Sequence, residues 1–356
     1  MAQKFVYIGN MRAGTQIASR VVEAGFEPAT EVESADMVVT YIPSTGNQED
    51  AYFGTDGIIA RANPGTIIVD LSPTSPTFAR EISAMAAVND MHLVEAPLVL
   101  HDITSSTAFG QPGNISLFVG GDSADVAAAQ PLLDAISSEQ IHCGAAGQGQ
   151  MARCAASLMR ISQLLSLVEA HMLVRATSDA RPDCFGNAIK ALNPPDWLRA
   201  LASAVESHDY EGAYTVEMAF GDLSSAINAA EDAGLAIPHS EAAEYLLDML
   251  DLVGGADMGI ASVALIYMDE QTSAKFGIDW SRVDSMYGAM GHEGHDHDHD
   301  HDHGHHHGYD DDDYYEDDYY DDYDGPNGMN GFDDGSAFGG GMGFDGKGRF
   351  GGYSAN

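Results

Sequence analysis

The feature that most constrains the fold is the alternation of short apolar strands with helical segments over the first part of the chain. Five β-rich runs are bounded by Gly, Pro or Asp: Phe5–Ile8, Met37–Ile42, Thr66–Leu71, His92–Ala96 and Ile115–Val119. The segments between them, such as Gly14–Ala24 and Ser75–Val88, carry apolar residues at helical spacing. Strands that alternate with helices predict an α/β domain with a mostly parallel, doubly wound sheet over residues 1–146.

Residues 147–290 have a helical pattern. One apolar stripe recurs at spacings of three and four residues: Leu158, Ile161, Leu165, Val168 and Met172. Leu164 and Leu167 add a second apolar face, which is typical of a helix in a core or in an oligomer interface. We therefore predict an all-helical second domain built around one long helix.

The last segment, residues 291–356, is of low complexity. Histidine and aspartate alternate through Gly291–Gly308, aspartate and tyrosine dominate Tyr309–Asp324, and glycine, phenylalanine and methionine are frequent in the rest. Such a segment cannot bury enough apolar surface to offset its chain entropy. The sequence predicts a disordered tail.

Composition limits the partners and the compartment. The formal net charge of −40 repels phosphate backbones, so we expect neither nucleic acid nor an anionic membrane as a partner. No apolar run reaches the roughly 18 residues of a membrane-spanning helix, and the first residues lack the pattern of a signal peptide. The three cysteines, Cys143, Cys154 and Cys184, fit buried thiols in a reducing compartment. These observations predict a cytoplasmic protein.

A glycine-containing turn follows the first strand. Gly9 and Gly14 hold the first and third positions of the G-x-G-x-x-G turn that binds dinucleotides, whereas Met11 stands at the second. A side chain at that position would crowd a pyrophosphate. Gly9, Asn10, Met11 and Gly14 are therefore candidate cofactor-binding residues, and a plain strand-to-helix turn without phosphate is the alternative.

The segment after the first helix is too short for a complete mononucleotide-binding fold. Between Phe26 and Ala35 there is room for one short strand or a loop, because a parallel crossover usually takes about a dozen residues or more. Only Glu31 or Glu33 could supply the acidic residue that holds a ribose. Solvated loop charges are the favoured interpretation of both.

Six segments, in this order, carry a resemblance to a known family: Ala35–Pro43, Gly65–Pro76 (GTIIVDLSPTSP), Glu95–Pro97, Gly113–Gly121, Gly144–Arg153 and Phe220–Leu223. Their order and spacing over roughly residues 3–270 resemble the β-hydroxyacid dehydrogenases, which include 3-hydroxyisobutyrate dehydrogenase and the 6-phosphogluconate dehydrogenase-like proteins. The resemblance implies a shortened Rossmann-type domain, an all-α C-terminal domain and NAD or NADP as cofactor. It also places Pro43 and Ser72 near the nucleotide. It implies a small-molecule ligand that exchanges a hydride, and a homodimer or larger assembly.

The departures from the family pattern fall where its chemistry occurs. The lysine that transfers a proton is replaced by Arg153, the asparagine four residues later by Ser157, and a second lysine by Gly221. The serine and glycines that bind the substrate carboxylate become Val99, Leu100 and His101. Because a guanidinium stays protonated at ordinary pH, it binds anions but transfers protons poorly. The resemblance therefore supports the fold and leaves the family's dehydrogenase activity in doubt.

Two residues could act in a changed site. Arg153, together with Ser157, is predicted to face the substrate and to bind an anionic ligand; an ion pair at the start of a helix is the alternative. His101 could transfer protons near neutral pH, although a surface-loop histidine is the favoured interpretation.

The tail carries a second candidate site. Its histidines lie at nearly every second position: His292, His295, His297, His299, His301, His303, His305, His306 and His307. Imidazole binds nickel and zinc, and the interleaved aspartates attract cations. Three hypotheses remain: an NAD(P)-binding oxidoreductase, a nickel or zinc store or chaperone on a non-catalytic scaffold, and an interaction protein. An inert solubilising tail is the alternative to metal binding.

Overall fold

A computed structural model describes residues 2–177, 179, 181 and 183–283, and these belong to one compact unit. The strands are β1 (Lys4–Gly9), β2 (Glu27–Pro28), β3 (Met37–Tyr41), β4 (Ile67–Asp70), β5 (His92–Glu95), β6 (Leu98–Leu100), β7 (Ile115–Gly121) and β8 (Glu139–Gly144). The helices are α1 (Met11–Glu23), α2 (Thr45–Phe53), α3 (Ile58–Arg61), α4 (Pro76–Val88), α5 (Ser123–Ile136), α6 (Gln148–Ala176), α7 (Cys184–Leu192), α8 (Asp196–Ser207), α9 (Val216–Asp232), α10 (Pro238–Leu250) and α11 (Glu270–Ala274).

The strands form one mixed sheet in the order β2-β1-β3-β4-β5-β7-β6, with β8 also paired to β7. The pairs from β2 to β5 are parallel, whereas β7 runs antiparallel to β5 and β6. Only Ala96 and Pro97 separate β5 from β6, and both strands pair with β7. The predicted Rossmann-type domain followed by helices is confirmed.

The predicted shortening after α1 is present. β2 has two residues, and a single 3₁₀ turn over Val32–Ser34 takes the place of a crossover helix before β3. Val32 fills a small core against the sheet, while Val6 and Ile8 of β1 stay half-buried and pack at its margin. The shortened chain therefore covers this face of the sheet incompletely.

The helical part packs around α6, which contacts α8, α9 and α10. Leu164 and Leu167, the predicted second apolar face, are 1 % and 5 % exposed in a single chain. The main hydrophobic core is continuous from the sheet into these helices. The predicted boundary at residue 146 falls in the turn between β8 and α6, and the division into two domains stays a proposal.

Several expectations concern membranes, thiols and the tail. No helix among the described residues is long and apolar enough to cross a membrane. All three cysteines are free thiols, but only Cys154 is buried and Cys184 is exposed, so the expectation of buried thiols was wrong for Cys184. Residues 284–290, the predicted disordered tail 291–356 and the tail histidines lie outside the described residues.

Candidate functional site

The glycine turn between β1 and α1 keeps the shape predicted from the sequence. Gly9 has φ of +132°, and a Cβ there would overlap the carbonyl of Tyr41 at the end of β3. A Cβ on Gly14 would overlap the ring of Tyr7. The two glycines are thus required by a tight turn and by close packing of α1 on β1.

Several amide groups of this turn are bonded within the chain. The Asn10 side chain caps α1: its Oδ1 accepts from the amides of Arg12 and Ala13, at 3.0 and 3.1 Å. The amide of Asn10 donates to the Tyr41 carbonyl at 2.8 Å. The Met11 side chain is 75 % exposed at the same turn. The amides of Arg12 and Ala13 at this helix start, which could hold a phosphate in a dinucleotide fold, already have a partner in Asn10.

The acidic residues after β2 are paired with a cation. Arg61 of α3 donates from Nε to Glu33 at 2.8 Å and from Nη2 to Glu31 at 2.9 Å. The pairing with Arg61 lowers the pKa of Glu33 below its ordinary value. The interpretation of both glutamates as solvated loop charges fits this placement, which leaves a local net negative charge.

The carboxyl ends of β3 and β4 are joined by buried hydrogen bonds. The Oγ of Ser72 accepts from the amide of Ile42 at 2.9 Å. The amide of Ser72 donates to Asp70 at 3.0 Å. Thr40 also donates to Asp70, at 2.8 Å. Burial raises the pKa of the Asp70 carboxyl, and bonds from Ser72 and Thr40 oppose that rise. Ser72 thus lies beside Pro43 at the edge where open α/β sheets bind ligands.

Gln150, in the first turn of α6, ties that edge to the helical part. Its side chain donates to the carbonyl of Ser72 at 2.9 Å and accepts from the amide of Thr74 at 3.1 Å. Gln150 is fully buried. It lies inside the Gly144–Arg153 motif, but no sequence pattern singles it out, because its partners are remote in the chain.

Arg153 is buried at the centre of the site. It is 3 % exposed, it donates from Nε to the Leu98 carbonyl at 2.8 Å, and its Nη2 pairs with Asp222 of α9. Burial alone would lower the pKa of this guanidinium, but the interactions with Asp222, Tyr214 and Tyr41 together outweigh burial and raise it. The structure thus brings Arg153 to an internal carboxylate, the alternative considered from the sequence, and its role toward a ligand stays a prediction.

Neighbouring polar groups complete this cluster. Ser157, one turn along α6, is 3.4 Å from Nη1 of Arg153, and the Tyr214 hydroxyl donates to Asp222 at 2.5 Å. Both oxygens of the Asp222 carboxylate are therefore used. The hydroxyl of Tyr41 is buried beside these charges and has no hydrogen-bond partner within the described part of the chain.

Helix α9 lies directly on the end of β3. A Cβ on Gly221 would overlap the carbonyl oxygen of Pro43, so only glycine allows this approach. Gly221 is the position at which the family pattern has its second lysine. The replacement brings the helical part against the predicted nucleotide edge.

Glu95 is a titratable residue that the sequence did not mark as functional. It is fully buried at the end of β5, and its Oε1 accepts from the amide of Gly149 at 2.7 Å. Burial raises its pKa to about 7, although bonds from the amides of Gly147 and Gly149 oppose the rise. The sequence feature that could have singled out Glu95 was its position in the Glu95–Pro97 motif.

His101 lies on the surface, as the favoured interpretation held. Its side chain is 51 % exposed, and Nε2 is 2.8 Å from the Oγ of Ser116 and 3.4 Å from Glu139. Ser116 also bonds to Glu139. Because Ser116 and Glu139 contact the same ring nitrogen, this cluster lacks the relay geometry of a hydrolytic triad.

The site fits a nicotinamide dinucleotide in part. Gly9 and Gly14 shape the turn, while Pro43 and Ser72 lie at the strand ends where such a cofactor binds. The amides of Arg12 and Ala13 at the helix start, in contrast, are capped by Asn10. Within the described chain there is no group of three His, Cys, Asp or Glu residues that could hold a metal ion.

Comparison with known proteins identifies this arrangement. Residues 5–146 match the NAD binding domain of 6-phosphogluconate dehydrogenase. The chain is 28 % identical to the NAD-dependent L-serine dehydrogenase of Pseudomonas aeruginosa over 66 % of its own length and 80 % of that protein. It is 25 % identical to the mitochondrial 3-hydroxyisobutyrate dehydrogenase of Rattus norvegicus, over 73 % and 76 % of the two chains.

A solved structure shares the fold. The 3-hydroxyisobutyrate dehydrogenase of Mycobacterium tuberculosis superposes with a TM-score of 0.62 at 21 % identity, covering 74 % of this chain and 98 % of that one. The matching domain defines an NAD(P)-binding class, with NAD or NADP as the cofactor that its relatives support. These findings support the β-hydroxyacid dehydrogenase family, with relatives of the 3-hydroxyisobutyrate dehydrogenase type.

Proposed function

We propose that this chain is a dinucleotide-binding member of the family that does not carry out the family's lysine-dependent hydride exchange. The observation that carries the proposal is the buried pair of Arg153 and Asp222 at the place of the proton-transferring lysine. The proposal concerns the reaction and leaves the family's nucleotide binding in place.

Proton transfer is the step that this chain cannot perform with Arg153. A general acid or base works best when its pKa lies near the working pH, and a guanidinium remains protonated far above that range. The Asp222 carboxylate raises the Arg153 pKa further. In addition, each of the three guanidinium nitrogens of Arg153 has a protein partner: the Leu98 carbonyl, Ser157 and Asp222. A bound substrate would have to displace one of them.

The contact of α9 with Pro43 supports the same conclusion. Gly221 removes the second lysine of the family pattern, and its lack of a side chain lets α9 reach the Pro43 carbonyl. A longer side chain at this position would hold the helix away from the sheet. We infer that the chain has exchanged a reactive group for close packing.

The names of the relatives suggest which ligands to test. They are an L-serine dehydrogenase and 3-hydroxyisobutyrate dehydrogenases, so small hydroxy acids are the ligand class that we propose. Both ligands carry a carboxylate at neutral pH, in agreement with the anion-binding role predicted for Arg153. That role requires the pair with Asp222 to open.

Calorimetric titration of the full chain with NAD, NADH, NADP and NADPH tests the binding half of the proposal. We expect binding of at least one nucleotide, with NAD preferred over NADP because Glu31 and Glu33 together outweigh the charge of Arg61. No binding of any nucleotide up to millimolar concentration contradicts the proposal. A heat of binding when L-serine is titrated into the complex with NAD would extend the proposal to the substrate.

The histidine tail supports a second proposed function. Nine histidines between His292 and His307 are interleaved with aspartate, a composition suited to nickel or zinc. We propose that the tail collects these ions, as a store or chaperone. A full-length variant with these nine histidines replaced by asparagine is the matched control. It should lose nickel binding and keep the nucleotide affinity; unchanged nickel binding contradicts the proposal.

Assembly and location are further proposals. We propose a homodimer or larger assembly in the cytoplasm, as the family resemblance and the composition suggest. Light scattering of the full chain measures the assembly directly, and a monomeric mass contradicts it.

A further inference from the structure

We propose that the Asn10 side chain is a built-in competitor for the pyrophosphate of the dinucleotide. The inference rests on the proposed nucleotide binding and adds a residue that limits its strength. In this chain, the cofactor reaches the helix-start amides only after the Asn10 side chain has moved away.

The hydrogen bonds of the turn support the first step. A phosphate at a helix start is held by amide groups that have no partner inside the helix. Here the amides of Arg12 and Ala13 both donate to Asn10 Oδ1, at 3.0 and 3.1 Å. The ligand and the asparagine therefore need the same two donors, and they cannot use them together.

The rest of the turn holds Asn10 in place. Its amide donates to the Tyr41 carbonyl at 2.8 Å, and its carbonyl accepts from the Tyr7 hydroxyl at 2.9 Å. The backbone on both sides of the cap is thus anchored to β1 and β3. Only the side chain is free to leave, so the competition is between two rotamers and does not require the turn to refold.

The positive charge of the turn is directed elsewhere. Arg12 is the one cation in the segment Gly9–Gly14, and its Nη1 donates to the carbonyl of Gly212, before α9, at 2.7 Å. A pyrophosphate arriving at the turn therefore meets capped amides and an arginine already bonded to the helical part. Both features weaken binding relative to an open glycine turn.

Substitutions at Asn10 separate competition from a plain structural role. Asn10→Gly removes the competing oxygen, and glycine is tolerated at a helix N-cap almost as well as asparagine. Asn10→Asp keeps the capping oxygen and adds a negative charge that repels phosphate. We expect NAD to bind about fivefold more tightly to Asn10→Gly, since a side-chain cap is worth about 1 kcal/mol relative to an uncapped helix start. We expect Asn10→Asp to bind more weakly than the native chain.

A cap in another part of the fold provides the matched control. Asp122 caps α5 by accepting from the amide of Ala124 at 2.8 Å. Asp122→Gly removes a comparable cap without touching the glycine turn, and we expect it to leave NAD affinity unchanged. A purely structural role for Asn10 predicts that Asn10→Gly, like the control, gives no gain in affinity.

The test is calorimetry of the full chain and its variants with NAD and, separately, with inorganic pyrophosphate. Tighter binding of both ligands to Asn10→Gly supports the inference. A gain for pyrophosphate without any binding of NAD supports competition at the turn and overturns the proposed nucleotide function. Equal or weaker binding by Asn10→Gly, or no binding of either ligand, overturns the inference.

Discussion

Arg153 of α6 and Asp222 of α9 form an ion pair in which the two side chains are only 3 % and 6 % exposed. The pair replaces a lysine whose work in the family pattern is proton transfer. Breaking a buried pair by removing one partner is costly, because the other charge stays buried without compensation.

Removal of Asp222 should therefore destabilise the chain strongly. We expect Asp222→Ala to lower the free energy of unfolding by about 3–5 kcal/mol, measured by urea denaturation. The exposed pair of Arg20 and Glu23 gives the control: Glu23→Ala should change stability by less than about 1 kcal/mol. A loss at Asp222 as small as at Glu23 would show that the buried pair is not structural.

Close packing at Gly221 gives a second prediction. Gly221→Ala places a methyl group on the Pro43 carbonyl, and we expect a loss of about 1–3 kcal/mol. Gly186 is also helical, but a Cβ there meets no atom within 4 Å. Gly186→Ala should gain about 0.5–1 kcal/mol. Thermal unfolding compares the two, and equal effects would contradict the packing described for α9.

Glu95 should make stability fall as the pH rises. Its pKa is about 7 in the folded chain against 4.5 ordinarily. The folded state therefore holds the Glu95 proton more tightly than the unfolded chain does. Stability is lost as the pH rises from the ordinary pKa to the pKa of the folded state. The loss at neutral to alkaline pH is on the order of 3 kcal/mol. Glu95→Gln should remove it, and urea denaturation at pH values from 5 to 8 measures the slope. If stability depends on pH with the same slope in Glu95→Gln as in the native chain, Glu95 is not the group responsible for the loss.

His171 of α6 should act in the opposite direction. Its ring packs edge-on against Phe185, and neither ring nitrogen has a hydrogen-bond partner among the described residues. Burial lowers its pKa, with Arg175 and His208 adding to the effect. The folded state resists protonation, so stability is lost as the pH falls below about 6.5.

Substitution of His171 tests this acid sensitivity. We expect His171→Phe to stay more stable than the native chain near pH 5, and the exposed His239→Gln to behave as the native chain does. Thermal unfolding at pH 5 and pH 8 provides the comparison. If His171→Phe is as acid-sensitive as the native chain, the group whose protonation destabilises the fold is not His171.

Much of the fold was predictable because its signals are local. Five of the eight strands and the helix around Leu158–Met172 follow from apolar spacing, whereas β6 and β8 were not predicted. The short distance between Phe26 and Ala35 left room only for a short strand or a loop, and the two-residue β2 lies there. These features depend on residues within one or two elements, where periodicity and chain length decide the outcome.

The site was less predictable because its contacts are remote in the chain. Arg153 and Asp222 are separated by 69 positions, and no spacing rule joins them. The burial of Gln150 and Glu95 likewise depends on how α6 meets the ends of β4 and β5. The cap at Asn10 and its conflict with a phosphate appear only when the bonded amides are known.

The central claim is that Arg153 has become a structural residue in a member of a dehydrogenase family. The direct measurement is NAD and NADP reduction by the full chain with L-serine and with 3-hydroxyisobutyrate, from neutral to alkaline pH, with the Pseudomonas aeruginosa relative as positive control. We predict no reduction above background, while nucleotide binding is still detected by calorimetry. Steady turnover that is lost in Arg153→Lys or Arg153→Ala, both still folded, would contradict the claim.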